Sequence, residues 1–226
     1  MLLSSAFMLP DAMAQDDLFQ DAGSWLQVIG EGSLTTIDPS LEKGRIWLEG
    51  QARFDRDWDH WYQGMVRTAI GYSLSDRATI WAGYTWLPTQ NVGKSYISQQ
   101  DVWPAFRYVM PTSVGTFTFR TMFESNFLLG DEVRFRPRQM IRFMHPLDAE
   151  PRLSLIAWDE FFIRLNSTPY GGQSGFDQNR VFAGLGWSFN KNVRTEVGYL
   201  NQYLDDATHT HNTMHHMIMG SVFLNF

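Results

Sequence analysis

The sequence predicts an all-β fold, a transmembrane up-and-down antiparallel β-barrel, and three observations support this prediction. From Trp25 onward, apolar and polar residues alternate with a period of two in nearly every segment, which is the period of a β-strand. Aromatic residues make up 15% of the chain and many occupy the apolar positions, as in strands that contact lipid. The chain also begins with a short apolar stretch and ends in a phenylalanine, as expected of an exported barrel.

The alternation is clearest in segment 45–54, where Ile46 and Leu48 fall on one face and Glu49 and Arg53 on the other. Because successive side chains of a strand point to opposite faces, one face is apolar and the other charged. Most such segments are close to the roughly 9 to 11 residues that a tilted membrane-spanning strand needs.

The segment that follows places Tyr62, Gly64 and Val66 on its apolar face and Arg67 on its polar face. Eleven segments of this kind can be counted: 24–35, 45–54, 62–74, 77–86, 106–108, 117–124, 134–143, 153–164, 179–189, 193–203 and 212–226. An odd number would put the two chain ends on opposite sides, whereas bacterial single-chain barrels have even strand numbers. We therefore expect about twelve strands, with about ten as the alternative.

The lengths of the connections agree with a meander. Short connections are predicted at 74–77, 110–115, 147–151 and 190–192, and longer ones at 55–59, 88–98, 128–133, 166–178 and 204–211. The two classes alternate along the chain, as short periplasmic turns and longer outer loops do in outer-membrane barrels.

Alternation alone does not say which face is outward. A soluble β-barrel would bury the apolar face, whereas a membrane barrel turns it to the lipid and keeps the polar face in its lumen. The aromatic content of the apolar faces favours the membrane barrel. A soluble periplasmic β-barrel that binds a ligand remains the alternative fold.

The N-terminal segment resembles the end of a secretory signal peptide. An apolar stretch at 2–9 is followed by the small-x-small triplet 12–14, which is typical of a cleavage site. We expect residues 1–14 to be the remainder of a signal peptide and residues 15–226 to form the outer-membrane barrel domain. No lysine or arginine precedes Lys43, so we expect the true translation start to lie upstream.

The C-terminal segment alternates Gly220, Val222 and Leu224 and ends in Phe226. This pattern resembles the C-terminal signature of outer-membrane barrels. The resemblance implies that the barrel assembly machinery recognises the last strand through Phe226.

Composition excludes several functions. The formal net charge of -6 and the pI near 5.4 argue against a nucleic-acid partner, which requires a basic surface. The chain has no cysteine, which excludes disulfides, thiolate catalysis and cysteine-ligated zinc. We expect no cofactor.

The polar faces of the strands gather charged residues, and arginine outnumbers lysine fifteen to three in the whole chain. The residues predicted to line the lumen are Glu49, Arg53, Arg67, Arg107, Arg120, Glu124, Arg134, Arg136, Arg138, Arg142, Glu160, Arg180 and Glu196. Guanidinium groups bind carboxylates and phosphates in bidentate fashion. The set therefore predicts either an interior filled by ion pairs or a path for anions.

Several short motifs resemble the DUF2490 family of outer-membrane barrel proteins. They are Trp25-Leu26, Glu49 with Arg53, Glu160-Phe161-Phe162, Asp177-Gln178-Asn179-Arg180, Gly184-Leu185-Gly186 and Gly198-Tyr199-Leu200-Asn201-Gln202. Their order along the chain carries the resemblance, which covers most of the mature chain. It implies the barrel fold and the outer-membrane location, but no functional residue, because that family has no established activity.

Histidines near the C-terminus are weak metal candidates. His209 and His211 lie one strand period apart beside acidic residues, and imidazoles with carboxylates can bind zinc or copper. His215 and His216 point to opposite faces of a strand and cannot share one ion without a bulge. An exposed polar loop is the favoured interpretation of His209 and His211.

A lipid-modifying enzyme is the alternative function, and its candidates are Ser221 with His215 or Glu196. Ser221 and His215 lie six residues apart on one strand, which is about 20 Å at the usual rise. This separation is too large for a nucleophile and its base, so we expect no catalytic residue here.

Taken together, the sequence predicts a porin-like barrel in the outer membrane of a Gram-negative bacterium. It would be structural or would pass small solutes, anions among them, through an arginine-rich lumen. The expected partners are the lipid bilayer and the barrel assembly machinery.

Overall fold

The computed structural model describes residues 18–90, 96–127, 132–169, 171–205 and 212–226. Within these ranges the chain forms a closed barrel of eleven strands. The strands are β1 (Phe19–Ser33), β2 (Gly44–Asp55), β3 (His60–Ser73), β4 (Ala78–Thr89), β5 (Ile97–Thr112), β6 (Gly115–Phe127), β7 (Val133–Leu147), β8 (Glu150–Arg164), β9 (Gly175–Ser188), β10 (Val193–Leu204) and β11 (Thr213–Asn225). Two short 3-10 helices, Leu34–Thr36 and Pro39–Leu41, lie between β1 and β2.

Consecutive strands pair antiparallel in chain order, which confirms the up-and-down meander. The barrel closes by a parallel pairing of β1 with β11, from Phe19 opposite Thr213 to Glu31 opposite Asn225. The expected strand number was therefore close but wrong by one, since the described chain holds eleven. An odd meander leaves its first and last strands running in the same direction, and a parallel ladder can still pair their backbone groups.

The connections separate into two ends of the barrel. The short-turn end carries the connections 74–77, 113–114, 148–149 and 189–192, and the loop end carries 90–96, 128–132, 165–174 and 205–212. Two connections do not follow this division by length; no length was predicted for the first, and the second was predicted at 55–59 among the longer ones. The β1–β2 connection at the short-turn end spans 34–43, and the β2–β3 connection at the loop end is only the turn 56–59.

The turn 56–59 is tight because Arg56, Asp57 and Trp58 all have positive φ. The backbone N–H of Arg56 donates to the Asp21 carboxylate (3.1 Å), and that of Asp57 donates to the Ala22 carbonyl (3.0 Å). These bonds to β1 hold a left-handed backbone that costs free energy in residues other than glycine. No helix within the described ranges is long and apolar enough to span a membrane.

The wall has an apolar outside and a mixed inside. Large apolar side chains are exposed on every strand, among them Leu26, Leu48, Val66, Tyr84, Phe106, Phe123, Ile141, Leu155, Val181, Val197 and Ile218. The interior contains two apolar clusters. In one of them the Trp47 ring contacts the Trp81 and Trp103 rings edge to face, at 5.6 and 5.7 Å between centroids. The other gathers Trp25, Ile156, Phe182, Leu200, Met217 and Met219.

Tyr62 is on the opposite face from the one that simple alternation predicts. Arg53 pairs with Gln63 and the next residue, Phe54, pairs with Trp61, so Tyr62 is the extra residue of a β-bulge. A bulge of this kind shifts the facing of the side chains around it. Tyr62 packs against an interior apolar cluster, and its ring stacks on His215 with 6.4 Å between centroids.

Candidate functional site

The thirteen charged residues predicted for the lumen all lie on strands, and their side chains are buried or partly buried. Several of their contacts join strands that are not neighbours in the sheet. Arg142 on β7 donates to Glu196 on β10 (Nη1–Oε2 3.0 Å), and Arg120 on β6 donates to Glu160 on β8 (2.9 Å). Side chains of non-neighbouring strands can meet only across the interior of a closed barrel, so these four residues face inward.

Glu124 and Glu160 are buried inside the barrel, and each accepts hydrogen bonds from two arginines. Arg136 donates to Glu124 through Nε (2.9 Å) and Nη2 (2.7 Å), and Arg138 donates through Nη1 (2.8 Å). Arg138 also donates to Glu160 through Nε (2.8 Å) and Nη2 (2.6 Å), and Arg120 donates to the same carboxylate. We call these five residues the central ion-pair cluster. Charge-assisted bonds of this kind are short and geometrically specific.

Toward the loop end the network continues through further buried or partly buried charges. Asp177 accepts from Arg136 (3.0 Å) and from Arg164 (3.2 Å), and Arg164 also pairs with Asp205. Arg134, which belongs to the predicted set, donates to the amide oxygen of Asn126 (3.0 Å). The loop-end half of the lumen is thus filled by linked charges.

Arg53 and Arg180 are held by aromatic rings. The guanidinium carbon of Arg53 lies 3.6 Å from the Trp25 ring centroid, and that of Arg180 lies 4.9 Å from the same ring and 4.6 Å from Phe162. Among the described contacts, neither guanidinium hydrogen-bonds a carboxylate, although Glu160 lies 3.9 Å from Arg180. Cation–π contact offsets part of the cost of burying these two charges.

Arg67 and Glu49 form a separate buried pair beside the Trp47 cluster. Arg67 Nη1 donates to Glu49 Oε2 (3.1 Å), and its Nε donates to Thr85 (3.1 Å). Arg67 also comes within 4.0 Å of Glu124. The pair therefore connects the β2–β3 wall to the central ion-pair cluster.

A cavity of about 210 Å³ opens at the short-turn end. Its charged lining residues are Glu31, Arg107, Arg120, Arg142 and Arg194. We call it the short-turn cavity. A smaller cavity of about 80 Å³ lies deeper and shares four lining residues with it: Ile29, Arg120, Arg142 and Phe223. The open space therefore narrows from the short-turn end toward the central ion-pair cluster.

The predicted set lacks several inward carboxylates of the described residues, among them Glu31, Asp101 and Asp177. Alternation from Trp25 through Gln27 would have placed Glu31 inside. Asp177 is buried next to the buried Gln178 because β9 has a bulge, in which Phe162 pairs with Gln178 and Ile163 with Phe176. No rule based on a period of two can find such a position.

The enzyme candidates are engaged in separate contacts. Ser221 Oγ accepts from Gln27 Nε2 (2.9 Å), whereas Glu196 is bound by Arg142 and Arg194. His215 stacks on Tyr62 toward the loop end of β11. These contacts do not bring Ser221 and His215 together.

The metal candidates His209 and His211 lie outside the described residues. Within the described ranges, no group of three histidine, aspartate or glutamate residues is placed to hold a metal ion. Phe226 lies at the short-turn end, where its carbonyl accepts from Ser33 N–H (2.9 Å) and its N–H donates to the Glu31 carbonyl (3.1 Å). These bonds extend the pairing between β11 and β1.

Fold and interior together define a closed β-barrel whose outside is apolar and whose inside holds linked arginine and carboxylate side chains. The chain belongs to the family described as a protein of unknown function, DUF2490, whose model matches residues 22–214. It is also similar to an uncharacterised protein of Methylorubrum extorquens, with 27% identity over 205 residues that cover 89% of this chain and 87% of the relative. No solved structure matches this chain.

Proposed function

We propose that the protein is an integral outer-membrane β-barrel whose interior is closed by ion pairs, so that its role is structural rather than that of an open pore. The single observation that carries this proposal is the polarity of the wall, with large apolar side chains exposed outside and charges buried inside. A soluble barrel would expose so much apolar surface to water only at high cost. In a bilayer the same surface faces hydrocarbon.

The two ends of the barrel support an orientation in that membrane. Outer-membrane barrels have short turns on the periplasmic side and longer loops outside. The short-turn end, with Phe226, would therefore face the periplasm, and the assembly machinery would bind strand β11 before β11 pairs with β1. The outer membrane and the assembly machinery are the partners that this proposal assigns.

Fractionation of cells that express matched variants tests the membrane proposal. Val66 is 48% exposed at the middle of β3, whereas Ile37 is 75% exposed in the β1–β2 connection. An arginine on the lipid face near the bilayer midplane costs about 2 to 4 kcal/mol. We expect Val66→Arg to reduce the protein recovered in the outer membrane and Ile37→Arg to leave it unchanged.

Recovery of the unmodified protein from the soluble periplasm without detergent would overturn the membrane proposal. Equal assembly of Val66→Arg and Ile37→Arg would also count against the membrane proposal. Arginine would be tolerated equally at the two positions only if both faced water. The soluble ligand-binding barrel would then be the better function.

Passage of small anions is the second candidate function, and the lining of the short-turn cavity favours it. Four arginines and one glutamate line that cavity, and the smaller cavity continues it inward. The central ion-pair cluster would then act as the selective barrier, because Arg138 bridges Glu124 and Glu160 and Arg136 bridges Glu124 and Asp177 inside the lumen.

Planar-bilayer recording separates the two functions. A closed interior predicts no unitary currents from the purified protein, whereas anion passage predicts an anion-selective current. In the second case Arg136→Ala and Arg138→Ala should change that selectivity. Arg152→Gln is the matched control, because Arg152 is 60% exposed and pairs with Glu150. Selectivity that is unchanged in both interior variants would exclude the anion path.

A further inference from the structure

The short-turn cavity combines unpaired donors with a surplus of positive charge. Trp47 Nε1 and Arg120 Nε are buried and have no hydrogen-bond partner within the described part of the chain, and both residues line this cavity. Buried donors are normally satisfied by an acceptor. A site with spare donors therefore suits a ligand that brings oxygen atoms.

The strand register concentrates positive charge at the same place. Arg107 and Arg120 are direct partners in the β5–β6 ladder, and like charges at opposed positions repel each other. Arg107 is bound to Glu31 (Nη2–Oε1 2.6 Å), whereas Arg120 turns to Glu160. Each guanidinium has five N–H donors, so both retain donors beyond these bonds.

The other charged residues of the lining also leave an excess of positive charge. Arg142 and Arg194 share one carboxylate, Glu196, and among the described residues Glu31 is the one carboxylate that lines the cavity itself. An anion between the arginines would remove the repulsion and accept the unused hydrogen bonds.

We propose that the short-turn cavity binds a small oxyanion, a carboxylate or phosphate group carried on a short apolar body. The volume of about 210 Å³ is below that of pockets for drug-sized ligands. Part of the lining is apolar: Ile29, Val109, Met140, Phe223 and Leu224. The charged head would meet Arg120 and Trp47, and the apolar body would contact this wall.

Calorimetric titration of the purified barrel in a non-ionic detergent tests this site. The probes are butyrate, butyl phosphate and the neutral amide butyramide. We expect at least one of the two anions to bind and butyramide not to bind. A preference for butyrate or for butyl phosphate would identify which head group the site favours.

Three variants locate the binding. Arg194→Gln removes a charge at the cavity, and Trp47→Phe removes one donor while keeping an aromatic ring. Each substitution should lower the affinity for the anion by about tenfold, as expected for a lost charge-assisted or buried hydrogen bond. Arg152→Gln removes the same charge outside the barrel at the same end and should leave affinity unchanged.

The proposal is overturned if neither anion binds at millimolar concentration or if butyramide binds as well as the anions. An equal loss in Arg152→Gln and Arg194→Gln would also overturn it, because the attraction would then be unspecific. Arg194→Gln keeps the test valid if Trp47→Phe does not fold. Binding in detergent does not depend on membrane insertion, so failure here and failure of the proposed function are distinguishable.

Discussion

In the central ion-pair cluster, Glu124 and Glu160 each accept hydrogen bonds from two arginines, whereas in the short-turn cavity four arginines share the lining with Glu31. The two regions are built from the same residue types. They differ in register, because Glu124 faces Arg136 across the β6–β7 ladder while Arg107 faces Arg120 across β5–β6. In the central ion-pair cluster opposite charges are ladder partners, whereas beside the short-turn cavity two arginines are ladder partners, and Arg120 belongs to both regions.

The difference teaches that arginine content alone does not define a pore or a site. A guanidinium that meets a carboxylate on the neighbouring strand fills space and links the wall. A guanidinium that meets another guanidinium has donors left for a ligand. Substitutions in the two regions should therefore differ in their cost to stability.

The largest effect is expected for Glu124→Gln in the central ion-pair cluster. This change leaves Arg136 and Arg138 buried with less compensation, and loss of one partner from a buried ion pair costs about 3 to 5 kcal/mol. We expect the midpoint of urea unfolding in lipid vesicles, followed by tryptophan fluorescence, to fall accordingly.

Glu150→Gln is the matched control, because Glu150 pairs with the exposed Arg152 (3.0 Å) at the short-turn end. Exposed pairs contribute about 0 to 1 kcal/mol. If Glu124→Gln were as mild as Glu150→Gln, the central ion-pair cluster would not hold the barrel together.

The second effect is expected at the rim of the short-turn cavity, where β1 meets Phe226. A Cβ at Gly32 would lie 2.4 Å from the Phe226 ring, whereas a Cβ at Gly50 would meet nothing within 4 Å. Gly32→Ala should therefore destabilise the barrel by about 1 to 3 kcal/mol, the range for overpacked sites. Gly50→Ala should leave it unchanged or slightly more stable. Equal unfolding midpoints would show that this closing contact contributes nothing.

Most strands could be predicted from the sequence, because alternation and connection lengths are local features, but of β5 (Ile97–Thr112) only 106–108 was predicted. Glu49 and Arg53 illustrate this, since both are buried on the polar face of β2. Tyr62 and Asp177 could not be placed, because each belongs to a bulge that only the partner strand reveals. The parallel pairing of β1 with β11 is also non-local and cannot be read from the sequence. Because the even-number rule does not foresee such a pairing, it led to a prediction of one strand too many.

The sequence predicts which charged residues face the lumen, but it does not predict their division into the central ion-pair cluster and the short-turn cavity. Alternation gathers Arg120 and Arg138 on one face without saying which carboxylate each one meets. That outcome depends on the register between strands far apart in the chain, such as Arg142 with Glu196. The short-turn cavity therefore became visible only in the folded barrel.

A third and smaller effect is expected for Arg194→Gln at the short-turn cavity. Arg194 is 25% exposed and its partner Glu196 keeps Arg142. Because solvent screens this ion pair, its loss should lower the free energy of unfolding by less than about 1 kcal/mol. The same substitution at Arg138 should cost several times more, as measured by urea unfolding. Equal costs would mean that the two regions do not differ in how fully their charges are paired.

The smallest effect concerns Asp38, an exposed carboxylate outside both regions. Its Oδ1 accepts from the Ser40 N–H (2.8 Å) at the start of the second 3-10 helix, and this bond lowers the pKa of Asp38 below its ordinary value. A lowered pKa means that the stabilisation is present above the ordinary aspartate pKa and is lost as the pH falls through the folded value. We expect Asp38→Ala to lower the unfolding midpoint only slightly at neutral pH, because the carboxylate is fully exposed, and NMR titration of the Asp38 carboxyl to show the lowered pKa. If the Asp38 carboxyl titrates at or above its ordinary pKa, the hydrogen bond from the Ser40 N–H does not form in solution. A midpoint that falls as far as in Glu124→Gln would show that burial is not what separates the interior charges from exposed ones.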